Sequence, residues 1–597
     1  MVPPPTAEQE HSWLARLDHR SVFPAAVFGM VAVALAAELT RRAPPDLAFL
    51  LYAAGRVLDG ATLYREVLEI NPPLIVWLNL PVKLVARALG ISDVLLYRLC
   101  AAAAVGGLFR LCYYLVRAYV APDNGSFGRY LLLLLCFALF PLAGEDFGQR
   151  EHFVLALFSP YLLLAAARLK GQPVAPRDAA GVGGLAGMAV ALKPQFVAVW
   201  LVLEIFVWVR SPRERGAAPE LLGALGVLTA YGIAVVLLTP QYLGLATALG
   251  PAYSHYLREP IYSLAVLAPG VPLVLFAFLA LAALRPYARD RQLWELLAAA
   301  VGAAYLGGLV QGKGFRYHFY PSLGLGFVLL GLIALDAPHS ARRVSERLYA
   351  RVSRVLLATI VLVVFGAAVF DVTGGGQERR QRDSEATELA TFVRGHSKGR
   401  PVAVLSYNIA SAFPLVTEAA VPLASRFPHL WPFAEAYWDS ISAGGALQYH
   451  TLAEMKPPER FLWDAVRWDL LDAQPQLILV LRPARDAARN GLRRLHYLQY
   501  FGRDSALAAL FRQYELIAEK GEYQVFQRVP EGTRRTGPAP SAEPGRLDVK
   551  RAQLQEVRLQ ILDPSFLAGT LLFAAVWLAS MMIDRWKRRT AGVRLTP

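Results

Sequence analysis

Charge is scarce in this chain. Only 18% of its 597 residues are Asp, Glu, Lys or Arg, whereas 55% are hydrophobic and the mean hydropathy is +0.37. A soluble protein of that length spreads charge over its whole surface, so this composition excludes an ordinary soluble fold and sets long stretches against lipid. Cysteine is scarcer still: Cys100, Cys112 and Cys136 all lie in hydrophobic segments. The polar region from about residue 373 has none, which excludes a disulfide framework or a Cys-based zinc site there. An H-E-x-x-H pair, a Walker loop and a G-x-S-x-G elbow are also missing, so nucleotide hydrolysis and serine-type acyl transfer lack support. No internal repeat of fixed period is present, which argues against both a solenoid and a transporter built from repeated halves.

The charge that is present is unevenly placed. The net charge of +15 comes from basic residues in short loops between apolar runs, the pattern of cytoplasmic loops, and not from a basic stripe that would bind nucleic acid. Spans are expected near 21–40, 94–117, 128–144, 152–168, 181–193, 196–210, 220–239, 263–285, 292–311, 319–337, 354–372 and 565–583. The basic loops then fall on one side: Arg168/Lys170/Arg177, Arg210/Arg213/Arg215, Arg285/Arg289/Arg291 and Arg342/Arg343/Arg347/Arg351/Arg354. The tail with Arg585, Lys587, Arg588 and Arg589 joins them, so the assignment closes without contradiction. Residues 1–20 form a cytoplasmic N-terminus, and the first span is read as uncleaved although Ala34-Leu35-Ala36 resembles a processing site. The segment PPLIVWLNLPVKLVARALG, which carries Lys83 and Arg87, is expected to lie in the interface, because counting it as a span reverses every later loop.

Within this frame the chain divides into a helical membrane domain over 21–372, a polar domain over 373–564, and a last span with a basic tail over 565–597. In the polar domain PVAVLSY, QLILVLR and EYQVFQRV read as strands, while ATELATFVRGH and WDAVRWDLLDA have helical spacing. A small α/β domain on the outer side is the expectation. The Pro-rich stretch 532–546 reads as a flexible loop.

Three outer loops concentrate the chemistry. The first, 41–93, carries Asp46 a few residues after the first span, so a membrane anchor fixes its position. A carboxylate held there suits a general base; the structural alternative is a helix cap or a pair with Arg41, Arg42 or Arg56. The second, GEDFGQREH, gathers Glu145, Asp146, Gln149, Arg150, Glu151 and His152 between two apolar runs. Arg150 offers a planar fork of donors to phosphate or carboxylate, and His152 can donate to phosphate. Asp146 or Glu145 can bind a cation, orient an acceptor or neutralise Arg150, and the structural alternative is a salt-bridge network closing two helices. The third, QGKGFRYHFYP, holds Lys313, Arg316 and His318 among aromatics and no acid, which fits either an anionic headgroup or an interfacial belt. Lys193, between two short apolar runs, adds a cation at membrane depth, where such a group usually has a partner.

The order of an acid after helix one, then Gly60, Tyr64 and Pro72-Pro73-Leu74, resembles the GT-C class of membrane glycosyltransferases. Within that class the pattern is similar to glycosyltransferase family 39, grouped with protein O-mannosyltransferases and lipid A aminoarabinose transferases. The resemblance covers roughly residues 20–370 and rests on order and topology more than on a strict motif. It implies a GT-C-like α-helical polytopic protein of about twelve spans. It also implies an enzyme that moves a sugar from a polyprenyl-phosphate donor to an envelope acceptor on the outer side, with inversion. Asp46 matches the first-loop acid and would be the base, with Asp146 the second catalytic candidate. Lys193-Pro194 resembles the family's Lys-containing hairpin, and Arg316 and His318 sit where a late outer loop approaches the carrier phosphate. GEDFGQREH takes the place of the second acidic loop, and Arg150 and His152 join Lys193 as phosphate candidates on their own chemistry. Glu145, Gln149, Glu151, Lys313 and Tyr64 complete the candidates. Asn71 stands where many relatives have Lys, so another cation must take that role or the donor differs. No cofactor is assigned, and a divalent cation held by Asp46 with Glu145 or Asp146 stays open. The expected setting is a bacterial inner membrane, with the site and the α/β domain facing the periplasm. A transporter of a lipid-linked anion, or a non-catalytic assembly factor, is the alternative.

Overall fold

The computed structural model describes residues 22–122, 125–210, 218–268, 270–336, 344–372, 377–442, 447–483 and 491–529. The expected last span, the Pro-rich stretch, the basic tail and the N-terminal 20 residues lie outside these. Fifteen helices build the apolar part: α1 (Val22–Thr40), α2 (Pro45–Leu58), α3 (Leu74–Leu89), α4 (Asp93–Leu115), α5 (Gly125–Leu139), α6 (Arg150–Leu169), α7 (Pro176–Leu192), α8 (Val197–Arg210), α9 (Pro219–Leu238), α10 (Gln241–His255), α11 (Ile261–Leu267), α12 (Val271–Leu284), α13 (Arg291–Val310), α14 (Tyr320–Asp336) and α15 (Val344–Val372). Proline sets several starts: Pro45, Pro176 and Pro219 each occupy the first turn of their helix, where a missing N–H costs nothing.

By length and apolarity, seven helical stretches among the described residues can cross a bilayer, and they coincide with seven of the expected spans. The helices α7 and α8 are shorter, 17 and 14 residues, and turn at Lys193-Pro194 as the expected hairpin does. The expected span 263–285 is corrected: the chain breaks into α11 and α12, because Gly270 sits at φ 83° and Pro272 falls in the first turn of the restarted helix. Helix α3 is half-buried, with Leu78, Leu84, Val85 and Leu89 left exposed.

Central to the bundle is α14, buried along its length. Gly324 and Gly331 leave room for Leu155 and Leu134 to press against its backbone, and Phe327 stacks on Phe137 at 4.8 Å. The pair α7 and α9 packs closer still. A Cβ on Gly183 would lie 1.9 Å from the Glu220 carbonyl oxygen, and one on Gly223 would lie 2.0 Å from that of Ala180. Small residues allow this backbone contact, and dispersion then holds the helices together where lipid supplies no hydrophobic drive. The basic loops meet at one end of the bundle through Arg168–Glu220, Lys170–Asp290 and an arginine trio (Arg210, Arg285, Arg291) around Glu295.

After α16 (Gln377–Ser397) the chain forms a four-stranded sheet of β1 (Val402–Leu405), β2 (Leu477–Leu481), β3 (Tyr514–Lys520) and β4 (Tyr523–Arg528), in the order β1-β2-β4-β3. β1 and β2 run parallel, joined through α17 (Pro457–Ala473), and the other pairs are antiparallel. β1 and β2 are wholly buried, as their apolar runs predict. β3 was not among the expected strands: YELIAEK is an edge strand with most side chains exposed, so it lacks the apolar signal. The sheet domain docks on α2. Arg42 donates to Glu418 at 2.7 Å, Leu423 N donates to the Tyr52 hydroxyl at 3.0 Å, and Phe413 packs on Phe49 and Tyr52.

The close pair generates a prediction. Gly183→Val should lower the thermal midpoint of the detergent-purified protein sharply, because the neighbour at 1.9 Å is backbone and cannot yield; the cost should exceed the about 1–3 kcal/mol usual for overpacking. Gly226→Val, with nothing within 4 Å, should leave the midpoint unchanged.

Candidate active site

The three polar loops and the sheet domain converge on one small chamber. Asp46, in the first turn of α2, lines it with Glu69 and Asn71 of the first loop, Arg150 at the start of α6, and Tyr253 and Tyr317. The sheet domain closes it with Ile409, Pro428, His429 and Trp431.

Each polar group is placed by its local fold. The loop 144–152 can turn between two helices because Gly148 adopts φ 77°, packed against the Tyr97 ring whose hydroxyl donates to the Gly148 carbonyl at 2.5 Å. Arg150 follows immediately and is buried at 8% exposure. Its Nη1 has no hydrogen-bond partner, and the side chain makes no ion pair among the described residues. Glu151, its sequence neighbour, turns instead to Lys193, 2.7 Å away and equally buried. Lys193 also donates to Gln311 at 3.3 Å. Asp46 likewise has no hydrogen bond or ion pair among the described residues, so neither a cap nor a pair with Arg41, Arg42 or Arg56 accounts for it. Burial pushes its carboxyl above the ordinary range, opposed chiefly by Arg150. A carboxylate raised this way is a stronger base than one in water.

Other expected site residues fall elsewhere. Asp146 pairs with Arg316 at 3.2 Å, so it does not neutralise Arg150, and Glu145 is exposed. His152, expected at the phosphate, uses both ring nitrogens internally. Nδ1 accepts from the Gly148 N–H at 3.0 Å, and Nε2 donates to the Leu139 carbonyl at 2.8 Å. Gln149 is half-buried just before α6 and caps nothing with its side chain. Tyr64, at φ 70°, donates to the Asn71 carbonyl at 2.8 Å and packs on Tyr242, which makes it a brace of the first loop. His318 is buried, its Nδ1 donating to the Lys313 carbonyl at 3.2 Å. Lys313 itself lies over the Tyr253 ring, its Nζ 3.5 Å from the centroid. Burial pulls its ammonium down to about 7.

Glu69, Tyr253, His429 and Trp431 are lining residues that sequence reasoning missed. Glu69 is buried and holds the Asn71 backbone N–H at 2.7 Å; a lone acid between Leu68 and Ile70 was the available signal. Tyr253 comes from α10, an unexpected helix. His429 has no partner for Nδ1, and burial holds the ring neutral, its pKa pulled down to about 3. Among the described residues no three His, Cys, Asp or Glu side chains gather as metal ligands. Of the acids that could join Asp46 around a cation, Asp146 is tied to Arg316 and Glu145 is exposed.

No protein-family model and no curated protein matches the sequence. Solved structures do. The chain superposes on ArnT from Cupriavidus metallidurans bound to undecaprenyl phosphate with a TM-score of 0.50 and 12% identity, covering 87% of this chain and 99% of that one. The apo state of the same protein gives 0.50 and 13%, over 87% and 98%. The chain therefore shares the fold of ArnT, the GT-C-like architecture that the order of the loops implied. At this identity the likeness speaks to architecture alone.

Lys313 gives the site a pH signature. Its folded pKa of about 7 lies below the ordinary 10.5, so the empty site carries this cation below pH 7 and loses it as pH rises through 7. Affinity for an anion such as polyprenyl phosphate should fall between pH 6 and 8.5 in a direct binding titration. Lys313→Arg, charged throughout, should flatten that slope. By the same sign, the unfolded chain holds more protons between pH 7 and 10.5, so Lys313 costs stability at neutral pH and that cost shrinks as pH rises.

Proposed function

We propose that the chain transfers a sugar from a polyprenyl-phosphate donor to an acceptor hydroxyl, and that the chamber around Asp46 and Arg150 is where this happens. The observation that carries the reading is the buried Arg150 guanidinium, whose Nη1 makes no hydrogen bond or ion pair among the described residues, beside an Asp46 likewise unpaired among them in the same cavity. A buried cation without a partner is costly, and an anionic ligand is the natural group to complete it. The GT-C fold, shared with a protein solved with undecaprenyl phosphate, supports a lipid phosphate as that ligand.

The chemistry then has a direction. The acceptor hydroxyl loses its proton to Asp46 as its oxygen attacks the anomeric carbon from the face opposite the phosphate, which inverts the centre. The bond from that carbon to the phosphate oxygen breaks through an oxocarbenium-like state. The leaving group passes from a singly charged diester to a phosphate monoester bearing close to two charges at neutral pH. Arg150, with Lys193 and Lys313 close by, is fixed where that charge grows, so its effect is larger in the transition state than in the ground state. No protein acid is needed, because phosphate leaves without protonation. The acceptor belongs to the cell envelope, and the reaction side is the one bearing the sheet domain, taken as periplasmic.

The test is release of free polyprenyl phosphate from a panel of polyprenyl-phosphate sugars, with acceptor present. Wild type should release it from at least one donor. Asp46→Asn should lower kcat by about 10²–10⁴ while keeping carrier affinity, the scale of a lost general base. Arg150→Gln should weaken carrier binding as well. Release by neither wild type nor Asp46→Asn, with tight binding by both, would overturn the enzyme and favour a transporter of the lipid-linked anion.

A further inference from the structure

A second and far larger cleft, of about 910 Å³, opens on the other side of Phe49 from the Asp46 chamber. Its size is that of a typical ligand pocket. One wall is the first loop, with Tyr52, Arg56 and Arg65; the other is the sheet domain, chiefly α17. On α17 the residues Phe461, Asp464, Trp468 and Asp472 recur at intervals of three and four, which puts them on one helical face. The opposite face packs Leu462, Trp463, Val466 and Leu470 into the domain core, so Trp468 is not needed there and stays 66% exposed.

Of the ionic groups around it, Asp464 pairs with Arg460 at 2.9 Å, but three others are largely unspent. The side chains of Arg65 and Asp472 have no hydrogen-bond or ion-pair partner among the described residues, and Arg56 reaches only the Tyr52 hydroxyl, at 3.5 Å. Beneath them the floor is rigid. Arg426 forks onto Asp469 at 2.7 and 2.9 Å, and Leu68 N donates to the Arg426 carbonyl at 2.9 Å, which ties the first loop to the sheet domain. An indole face flanked by the free Asp472 carboxylate and by guanidinium groups is the complement of a pyranose. The ring's C–H face lies on the indole, and its edge hydroxyls donate to carboxylates and accept from guanidinium donors.

We propose that this cleft binds the acceptor, and that the acceptor is an oligosaccharide whose terminal sugar passes Phe49 to reach Asp46. The identification rests on the glycosyltransferase reading above. The cleft holds more than one sugar ring, and Phe49 lines both cavities, so a glycan lying along α17 is one side chain away from the base.

The test uses the full chain in detergent or nanodiscs with a panel of short fluorescent oligosaccharides, neutral and uronate-bearing. Wild type should bind at least one member. Trp468→Ala and Asp472→Asn should weaken that binding about tenfold, a loss of about 1.4 kcal/mol, whereas Asp46→Asn should bind as wild type does. With the same glycan as acceptor, Trp468→Ala should raise its KM by about the same factor and leave kcat unchanged. Binding to no panel member, or equal binding by wild type, Trp468→Ala and Asp472→Asn, overturns the proposal. Failure of the transfer reading shows separately, as no carrier release from wild type at any acceptor. Trp468-dependent binding would then stand as a sugar site, and its role as acceptor site would fall.

Discussion

The ion pair between Lys193 and Glu151 organises the site. Both groups are almost wholly buried, 2.7 Å apart, and they fasten the turn of the α7–α8 hairpin to the first turn of α6. Removing one partner of such a pair typically costs about 3–5 kcal/mol, because the other is left charged in an apolar place. Its chemical consequence lies next door. Glu151 is the sequence neighbour that would otherwise satisfy Arg150, and Asp146, four residues before it, is drawn to Arg316. Glu69 and Asp46 act on the guanidinium through space, without a hydrogen bond. With Glu151 and Asp146 engaged, Arg150 stays buried with an unused Nη1. The protein thus keeps a fixed, buried cation at the chamber, at a cost in stability that, on the proposed function, an anionic ligand offsets.

The chamber itself is nearly shut. It holds about 50 Å³, room for a few waters and too little for a sugar ring. Its lid belongs to the sheet domain, whose segment Pro428–Trp431 lies across it. That segment is fixed through Ser406, whose carbonyl accepts from Leu430 N at 2.7 Å, and through the Arg426–Asp469 fork. On the proposed function, loading a donor requires the lid or the first loop to shift, and closure afterwards keeps water from competing with the acceptor hydroxyl for the donor. The lid also brings His429 to the chamber wall, buried and neutral, with Nδ1 unpartnered among the described residues.

Much of this was legible in the sequence, and the failures have physical causes. Apolar run length placed seven helical spans, since a bilayer fixes how many residues a helix needs. Asp46, Arg150, Lys193 and Lys313 were legible because a charge at the edge of an apolar run is conspicuous. The assignment of partners was not. Sequence spacing could not show that Glu151 would choose Lys193 over its neighbour Arg150, nor that His152 would turn both nitrogens inward. Glu69, Tyr253 and His429 were missed because each lies in a segment without periodic signal, and only the docking of the sheet domain on α2 brings them together. β3 escaped for the opposite reason: an exposed edge strand has no apolar face to declare it.

The proposed chemistry depends on where the carrier phosphate sits. A cryo-electron microscopy structure of the full chain with bound polyprenyl phosphate locates it directly. The phosphate should lie within hydrogen-bonding distance of the Arg150 guanidinium, with Asp46 across the chamber from it and the Pro428–Trp431 segment displaced to admit it. Phosphate density in the cleft beside Arg56 and Arg65, with the Arg150 chamber still closed, would contradict the account.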